Sequence, residues 1–306
     1  MIAVAATIAA AVAIGIAAER RRREGAQRAA RGVLGAILYV LLPPIVFFNI
    51  ARLHVDADVG GGIALAYAML ALTGLAAWFA SARILRLSRA QTGSVIAAVM
   101  QVNTGYVGLP LVVVLLGSEH LGEAAAYDAL VTAPWLFGVV FAVGAAFGAR
   151  AGEGARERTV AFFTRNPPLL AVMAALLAPD ALAPDALVDA SRVAVLALVP
   201  LGFFAVGVTL AAEADEGVPV FPPPLTRAVA LVLALRLAVA PALLYLMAFA
   251  LIDLPDSYLL LAAMPCGINT LVVSHAYGLD MRIAAGAVAW STAIVVAVAL
   301  VADTVV

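Results

Sequence analysis

The chain has 306 residues, of which 65% are hydrophobic and only 12% are charged, and its net charge is −1. Its mean hydropathy is +1.08, whereas a soluble globular protein is only about 45–50% apolar. This composition indicates an integral membrane protein and offers no basic surface for nucleic acid. The sequence contains no nucleotide-binding glycine loop, catalytic triad or metal-ligand cluster, so we expect no enzyme activity, cofactor or metal.

Apolar runs separated by charged residues or proline predict ten membrane-spanning helices, because about 20 apolar residues cross a bilayer. These segments cover residues 1–18, 33–53, 60–80, 92–117, 124–149, 167–178, 193–212, 228–252, 257–278 and 283–302. The first segment lacks the positive start of a signal peptide and its arginines follow it, so we interpret it as a true span.

The arginines fall almost entirely in alternate loops, which contain 15 of the 18. The opposite loops contain Arg52 and Arg192 together with many of the acidic residues. Because basic residues mark cytoplasmic loops, this distribution predicts a multi-pass protein of the cell membrane with both termini outside the cytoplasm.

The fourth and ninth segments contain residues that interrupt helices. The fourth reads Asn-Thr-Gly-Tyr-Val-Gly-Leu-Pro over residues 103–110, and the ninth reads Met-Pro-Cys-Gly-Ile-Asn over residues 264–269. In hydrocarbon, every freed backbone group needs a protein partner, so such a break survives only where it lines a cavity. Breaks at corresponding places in two halves of a chain are typical of a transporter's substrate site.

The residues of these breaks suggest how an anion is bound. Gly105 and Gly108 are expected to adopt backbone angles unavailable to other residues, and Pro110 to begin the second half helix. If the breaks cross, two helix N-termini present N–H groups and partial positive charge to one place, which suits a carboxylate. Asn103 and Asn269 add side-chain donors and acceptors. The alternative is that both segments are merely kinked spans that pack closely through glycine.

The predicted substrate site extends to the neighbours of these asparagines and to two further amides. Its members are Asn49, Gln101, Asn103, Thr104, Gly105, Pro110, Pro265, Cys266, Asn269 and Thr270. Asn49 and Gln101 are equally suited to an ordinary hydrogen bond between helices. Arg236, inside the eighth segment, is expected either to balance a substrate carboxylate or to bond to carbonyls freed at a helix break.

A cation–proton antiporter would need an acidic residue near the middle of the membrane. None lies within residues 92–117 or 257–278. Asp128 is the one acid that enters a span, and we place it near the outer end of the fifth segment. A membrane enzyme would need a nucleophile with a nearby base, but the three histidines are scattered. We therefore favour a carrier, with a sodium- or proton-coupled symporter or antiporter of another substrate as the alternative.

The two breaks carry a family resemblance. The motif of residues 103–110, followed by Met264-Pro265, Asn269 and the Ala-Tyr-Gly-Leu-Asp of residues 276–280, resembles the auxin efflux carrier family over essentially the whole chain. The resemblance implies that Asn103 and Asn269 are the crossover asparagines of that family. It likewise implies that Pro110 and Pro265 are its crossover prolines.

The resemblance also implies a fold. That fold is all-α, with ten transmembrane helices in two inverted five-helix repeats whose broken fourth and ninth helices cross, as in bile-acid symporters and sodium–proton antiporters. A faint internal similarity agrees with a repeat, since Pro44-Ile-Val-Phe-Phe in the second segment aligns with Pro200-Leu-Gly-Phe-Phe in the seventh.

Two domains and a mechanism follow from the same resemblance. Residues 1–58 and 159–216 would form a scaffold domain, and residues 59–158 and 217–306 a transport domain. The transport domain would move like an elevator and carry a small organic anion, in a compact prokaryotic protein that forms a homodimer. The partners expected are therefore the bilayer, the anion and a second copy of the chain.

Overall fold

The computed structural model describes residues 2–52, 57–148, 167–215 and 224–305. Within these ranges the chain is helical almost throughout, and the isolated bridge between Val102 and Cys266 is the strand-like pairing. Six of the described helices are long and apolar enough to cross a membrane. The protein is therefore all-α and has the composition and helix lengths of a membrane-embedded chain.

Twelve helices, named α1 to α12 in chain order, account for the described residues that matter below. They are α1 (Ile2–Arg21), α2 (Arg23–Ile50), α3 (Asp58–Ile84), α4 (Arg89–Met100), α5 (Thr104–Leu115), α6 (Ser118–Phe147), α7 (Pro167–Leu177), α8 (Asp185–Thr209), α9 (Arg227–Ala248), α10 (Asp256–Ala262), α11 (Asn269–Tyr277) and α12 (Met281–Val305). The six helices that are long and apolar enough to cross a membrane are α2, α3, α6, α8, α9 and α12.

Every predicted segment coincides with helix. The fourth segment is divided between α4 and α5, and the ninth between α10 and α11. The predicted ten spans go beyond these six helices. The fourth and ninth segments are divided, α7 has 11 residues, and α1, with 20 residues, is not among the six. The predicted domain boundaries at 158/159 and 216/217 lie outside the described residues.

The helices pack in two neighbourhoods. In the first, α1 runs along α8, and α2 packs against α7 and α8. The contact between α1 and α8 is close because a Cβ atom at Gly207 would lie 2.2 Å from the carbonyl oxygen of Val12. In the second, α4 packs against α3, α6, α9 and α12, while α10 and α11 pack against α6.

Helix α4 lies at the centre of the second neighbourhood. All of its residues from Thr92 to Met100 are buried, so neighbours surround it on every side, as expected for a helix that is apolar all round. Its start is defined by a capping box in which Ser88 and Gln91 satisfy each other's backbone N–H groups. Helix α11 stops at Gly278, which adopts the left-handed conformation with φ 70°. The inner ends of α4 and α11 meet at the site described next.

Candidate functional site

The two interrupted segments meet at their breaks. Between α4 and α5, the N–H of Asn103 donates to the carbonyl of Pro265 at 2.9 Å. Between α10 and α11, the N–H of Gly267 donates to the carbonyl of Gln101 at 2.7 Å. The freed backbone groups of each break are thus satisfied by the other, as a bilayer interior requires. The prediction of two broken helices is confirmed, and continuous kinked spans are excluded.

The glycines of the breaks act through their size. The expectation of unusual backbone angles at Gly105 and Gly108 is wrong, because the described glycines with positive φ lie elsewhere. A Cβ atom at Gly108 would instead come within 2.5 Å of the Leu261 side chain, and one at Gly267 within 2.9 Å of Gln101. The missing side chains let the two broken segments touch.

A cavity of about 280 Å³ opens where the breaks face α6. Half of the predicted site residues line it, namely Gln101, Asn103, Thr104, Gly105 and Asn269. The other walls are mostly apolar and include Leu42, Leu136, Phe137, Phe141, Ile268 and Val272. The cavity therefore combines a polar floor at the breaks with hydrocarbon walls.

Four other predicted site residues support the breaks without lining this cavity. The carbonyl of Pro265 accepts the bond from Asn103, and the N–H of Cys266 donates to the Ser291 hydroxyl at 3.0 Å. Pro110 is buried in the first turn of the α-helical part of α5, where a missing N–H is tolerated. Thr270 is buried in the first turn of α11.

The tenth predicted residue, Asn49, lies away from the cavity. Its amide donates to the carbonyl of Ile45 at 2.7 Å and to the hydroxyl of Ser191 at 2.9 Å. Its carbonyl oxygen accepts from the Nε of Arg192 at 3.4 Å. Asn49 thus joins α2 to α8, which is the ordinary interhelical hydrogen bond foreseen as its alternative role.

Three residues that line the cavity have a buried side-chain oxygen with no hydrogen-bond partner among the described residues. These oxygens are Oδ1 of Asn103, Oε1 of Gln101 and Oγ1 of Thr132, and only 3% of Asn103 and 2% of Gln101 is exposed. A buried polar atom without a partner costs free energy unless a ligand or water bonds to it. The floor of the cavity is therefore prepared for a polar group.

Arg236 is completely buried beneath the breaks. Its Nη1 donates to the carbonyl of Val99 at 3.1 Å, and its Nη2 donates to the carbonyl of Ala262. These carbonyls belong to the final turns of α4 and α10, where a helix has unsatisfied acceptors and partial negative charge. Of the two roles expected for Arg236, bonding to freed carbonyls is confirmed, and Arg236 does not line the cavity.

Asp128 is the residue that sequence reasoning misplaced. Helix α6 begins at Ser118, six residues before the predicted segment, so Asp128 lies ten residues into the helix, about 15 Å along it. There it lines the cavity and accepts a hydrogen bond from the hydroxyl of Thr104. Acidic residues such as Glu119 and Glu123 are typical of a loop, but both belong to α6. The cavity thus contains the acidic residue that was thought absent.

A proline shapes α6 next to Asp128. Pro134 has no N–H to donate to the carbonyl of Leu130, four residues earlier. Residues Asp128–Thr132 form a π-helical turn, and the hydroxyl of Tyr67 in α3 donates to the Leu130 carbonyl at 2.7 Å. Such turns are frequent at functional sites. Pro134, six residues after Asp128, was the sequence signal that this part of α6 departs from a regular helix.

No protein-family model and no curated protein matches the chain. An anion is favoured by the helix N-termini at Thr104 and Asn269 and by the amides beside them. Protons or cations are favoured by the carboxylate of Asp128.

Proposed function

We propose that this protein is a secondary transporter that carries a small organic anion, a carboxylate, across the cell membrane by alternating access. The observation that carries the proposal is the cavity of about 280 Å³ where two broken helices meet, with Asn103 and Asn269 in its lining. Each asparagine lies where a new helix begins, so its amide is accompanied by the partial positive charge of a helix N-terminus. At the start of α11, the N–H groups of Thr270 and Leu271 already donate to the carbonyls of Gly267 and Ile268.

The shape and polarity of the cavity favour an anion with a single charge and an apolar body. The carboxylate head would bind the side-chain amides of the floor. The body would contact Leu136, Phe137 and Phe141. None of the lining residues found among the described part of the chain is an arginine or a histidine, so a second negative charge would have no cation beside it.

The fold proposed with this function is that of the auxin efflux carriers, with ten spans in two inverted repeats. The grouping of contacts supports it, because α1, α2, α7 and α8 pack mainly on one another, whereas α4 packs against α3, α6, α9, α11 and α12. The first group would be the scaffold through which two copies dimerise. The second would carry the cavity in an elevator motion.

A cation–proton antiporter is the second candidate, and one observation favours it. Asp128 presents a carboxylate to the cavity, and intramembrane acids serve as cation or proton sites in many transporters. The two candidates differ in what stabilises the purified protein. A carboxylate carrier is stabilised by carboxylates at constant pH and ionic strength, whereas an antiporter responds to sodium and not to the organic anion.

The experiment measures thermal unfolding of the purified protein against phenylacetate, benzoate, malonate and malate, because a ligand of the folded state raises its apparent stability. We expect Asn103→Ala and Asn269→Ala each to weaken binding of the best carboxylate about ten-fold, since a hydrogen bond to a charged group contributes about 1.5–3 kcal/mol. Aspartate at either position should weaken binding further through like-charge repulsion.

Asn49→Ala is the matched control, because this variant also removes a buried amide but lies outside the cavity. It should lower stability and leave the affinity unchanged. Unchanged affinity in both Asn103→Ala and Asn269→Ala would move the substrate site elsewhere. The absence of stabilisation by any of the four carboxylates would refute an anion carrier of this class.

A further inference from the structure

The cavity contains an ionisable carboxyl group of its own. Asp128 is the one acid among its lining residues in the described part of the chain, and both of its carboxylate oxygens lie 3.5 Å from the position of a Cβ atom built on Gly105. Gly105 is in the first turn of α5, where the proposed anion would bind. The carboxylate is therefore within the same small space as the predicted substrate head.

Two carboxylates in this space would repel each other. The interaction between like charges is strong where water is scarce, and no arginine or histidine among the described lining residues neutralises either of them. Arg236 does not line the cavity, and its Nη1 and Nη2 donate to the carbonyls of Val99 and Ala262. An anion can enter only if Asp128 loses its charge or acquires a cation.

We propose that Asp128 binds one proton for each anion, so that the protein moves the anion together with a proton. This inference rests on the proposed function of anion transport. The proton comes from the aqueous phase to which the cavity is open and is added to a carboxylate oxygen of Asp128. It leaves to the opposite phase when the anion leaves. No other bond is made or broken, and a monovalent anion with its proton crosses without net charge.

The hydrogen bonds around Asp128 suit both of its protonation states. The ionised form accepts from the hydroxyl of Thr104. The protonated form is an additional donor, and the cavity has unpartnered acceptor oxygens on Asn103 and Gln101. A proton needs a single oxygen, which is already in place, and the described residues contain no group of three or more His, Cys, Asp or Glu side chains that could hold a metal ion.

Few other titratable groups face Asp128. Tyr106 of α5 lines the same cavity, and the hydroxyl of Tyr67 in α3 is bonded to the Leu130 carbonyl. Helix α7, which also packs against this part of α6, has no titratable residue. Earlier in α6, the carboxylate of Glu123 lies 3.6 Å from the imidazole of His120. Among the described residues, Asp128 is thus the acid whose protonation can change the charge of the cavity.

The test is a titration of the purified protein with phenylacetate between about pH 5.5 and about pH 8, where a simple carboxylic acid stays ionised. For the natural sequence, we expect the affinity to fall up to ten-fold for each pH unit above the titration of Asp128, as linkage of one proton requires. In that pH range, calorimetry in buffers of different ionisation enthalpy should show uptake approaching one proton for each phenylacetate bound, and at lower pH the uptake should disappear.

The decisive variant is Asp128→Asn, which keeps the shape and removes the charge. It should bind phenylacetate with one affinity at all these pH values, at least as tightly as the natural protein at low pH, and without proton uptake. Glu123→Gln is the matched control on the same helix outside the cavity, and it should keep the natural pH dependence. Unfolding temperatures of both variants without ligand report whether they are folded.

Three results would overturn the inference. A pH dependence that survives in folded Asp128→Asn would place the proton elsewhere. Affinity that depends on sodium and not on pH would make the compensating charge a metal cation. A lower affinity of Asp128→Asn for phenylacetate at every pH would show that Asp128 has a structural role and does not bind the coupled proton. If phenylacetate and the other three carboxylates bind to no variant, the proposed function itself fails, and the proton inference fails with it.

Discussion

At the scale of the residue, one buried side chain is paired with backbone groups that two broken helices free. The guanidinium of Arg236 donates to carbonyls in the final turns of two helices at once. Arginine suits this task because its donors form a planar fork and its charge complements the negative ends of both helices. The opposite side of the breaks retains unpartnered oxygens on Asn103 and Gln101. We infer that Arg236 stabilises the breaks and that the oxygens of Asn103 and Gln101 are available to a ligand.

Arg236→Leu tests this division of roles. The change leaves the carbonyls of Val99 and Ala262 buried without a donor, so we expect a loss of about 2–3 kcal/mol in the free energy of unfolding. Arg236→Lys should recover only part of this, because a single ammonium cannot reproduce the fork. Unfolding in detergent measures both. Arg282→Leu, at an exposed arginine, is the control and should change stability by less than about 0.5 kcal/mol. Equal stability of Arg236→Leu and the control would contradict this role.

At the scale of the element, two pairs of short helices replace two long ones. Within each pair, a short extended segment separates the two helices. The two extended segments form the antiparallel bridge between Val102 and Cys266. This contact needs close approach of the backbones, which the glycines permit. The cost of interrupting a helix in the membrane is offset because each break supplies the hydrogen bonds that the other lacks.

Gly267→Ala tests the close approach. The new methyl group would lie 2.9 Å from Cγ of Gln101 and 3.0 Å from the carbonyl oxygen of Val102, so the two breaks must separate. We expect a loss of stability of about 1–3 kcal/mol and weaker binding of carboxylates. Gly138→Ala in α6 is the control, because nothing lies within 4 Å of its Cβ position. A Gly267→Ala variant as stable as Gly138→Ala would show that the contact is looser than described.

At the scale of the whole molecule, the two ends carry different loops. At one end, Arg89 donates to the carbonyl of Ala146, and Ser94 donates to the carbonyl of Asp280. This end gathers the loop before α4 and the loop between α11 and α12. At the other end, Asp58 accepts from the N–H of Asp253, and acids predominate. The charge bias predicted from alternate loops thus coincides with opposite ends of this group of helices.

A labelling experiment tests which end faces the cytoplasm. Cys266 is the single cysteine and is buried, so Cys266→Ala provides a background for new cysteines. We expect an impermeant maleimide to label Leu251→Cys in intact cells and to label Ser88→Cys only after the membrane is opened, because basic loops stay in the cytoplasm. Reporter fusions should place both termini outside. The opposite labelling pattern would invert the topology, and a cytoplasmic C-terminus would refute the ten-span fold.

The sequence by itself determined the membrane class, the helical segments and the two interruptions. These features are local, because hydropathy, glycine and proline act on the chain within a few residues of where they stand. Helix ends were less certain, since charged residues such as Glu119 and Glu123 belong to α6 although they suggest a loop. Because α6 begins six residues before the predicted segment, the sequence placed Asp128 too near the end of the span.

The tertiary structure alone decided which polar groups share a site. Asp128 and Thr104 are 24 residues apart, and Arg236 reaches carbonyls that lie 137 and 26 residues away. Asn49 and Asn103 look alike as isolated amides in apolar segments, yet one ties α2 to α8 and the other lines the cavity. Packing between distant helices determines whether a buried polar atom bonds to another helix or lines a cavity. A local sequence pattern does not contain that information.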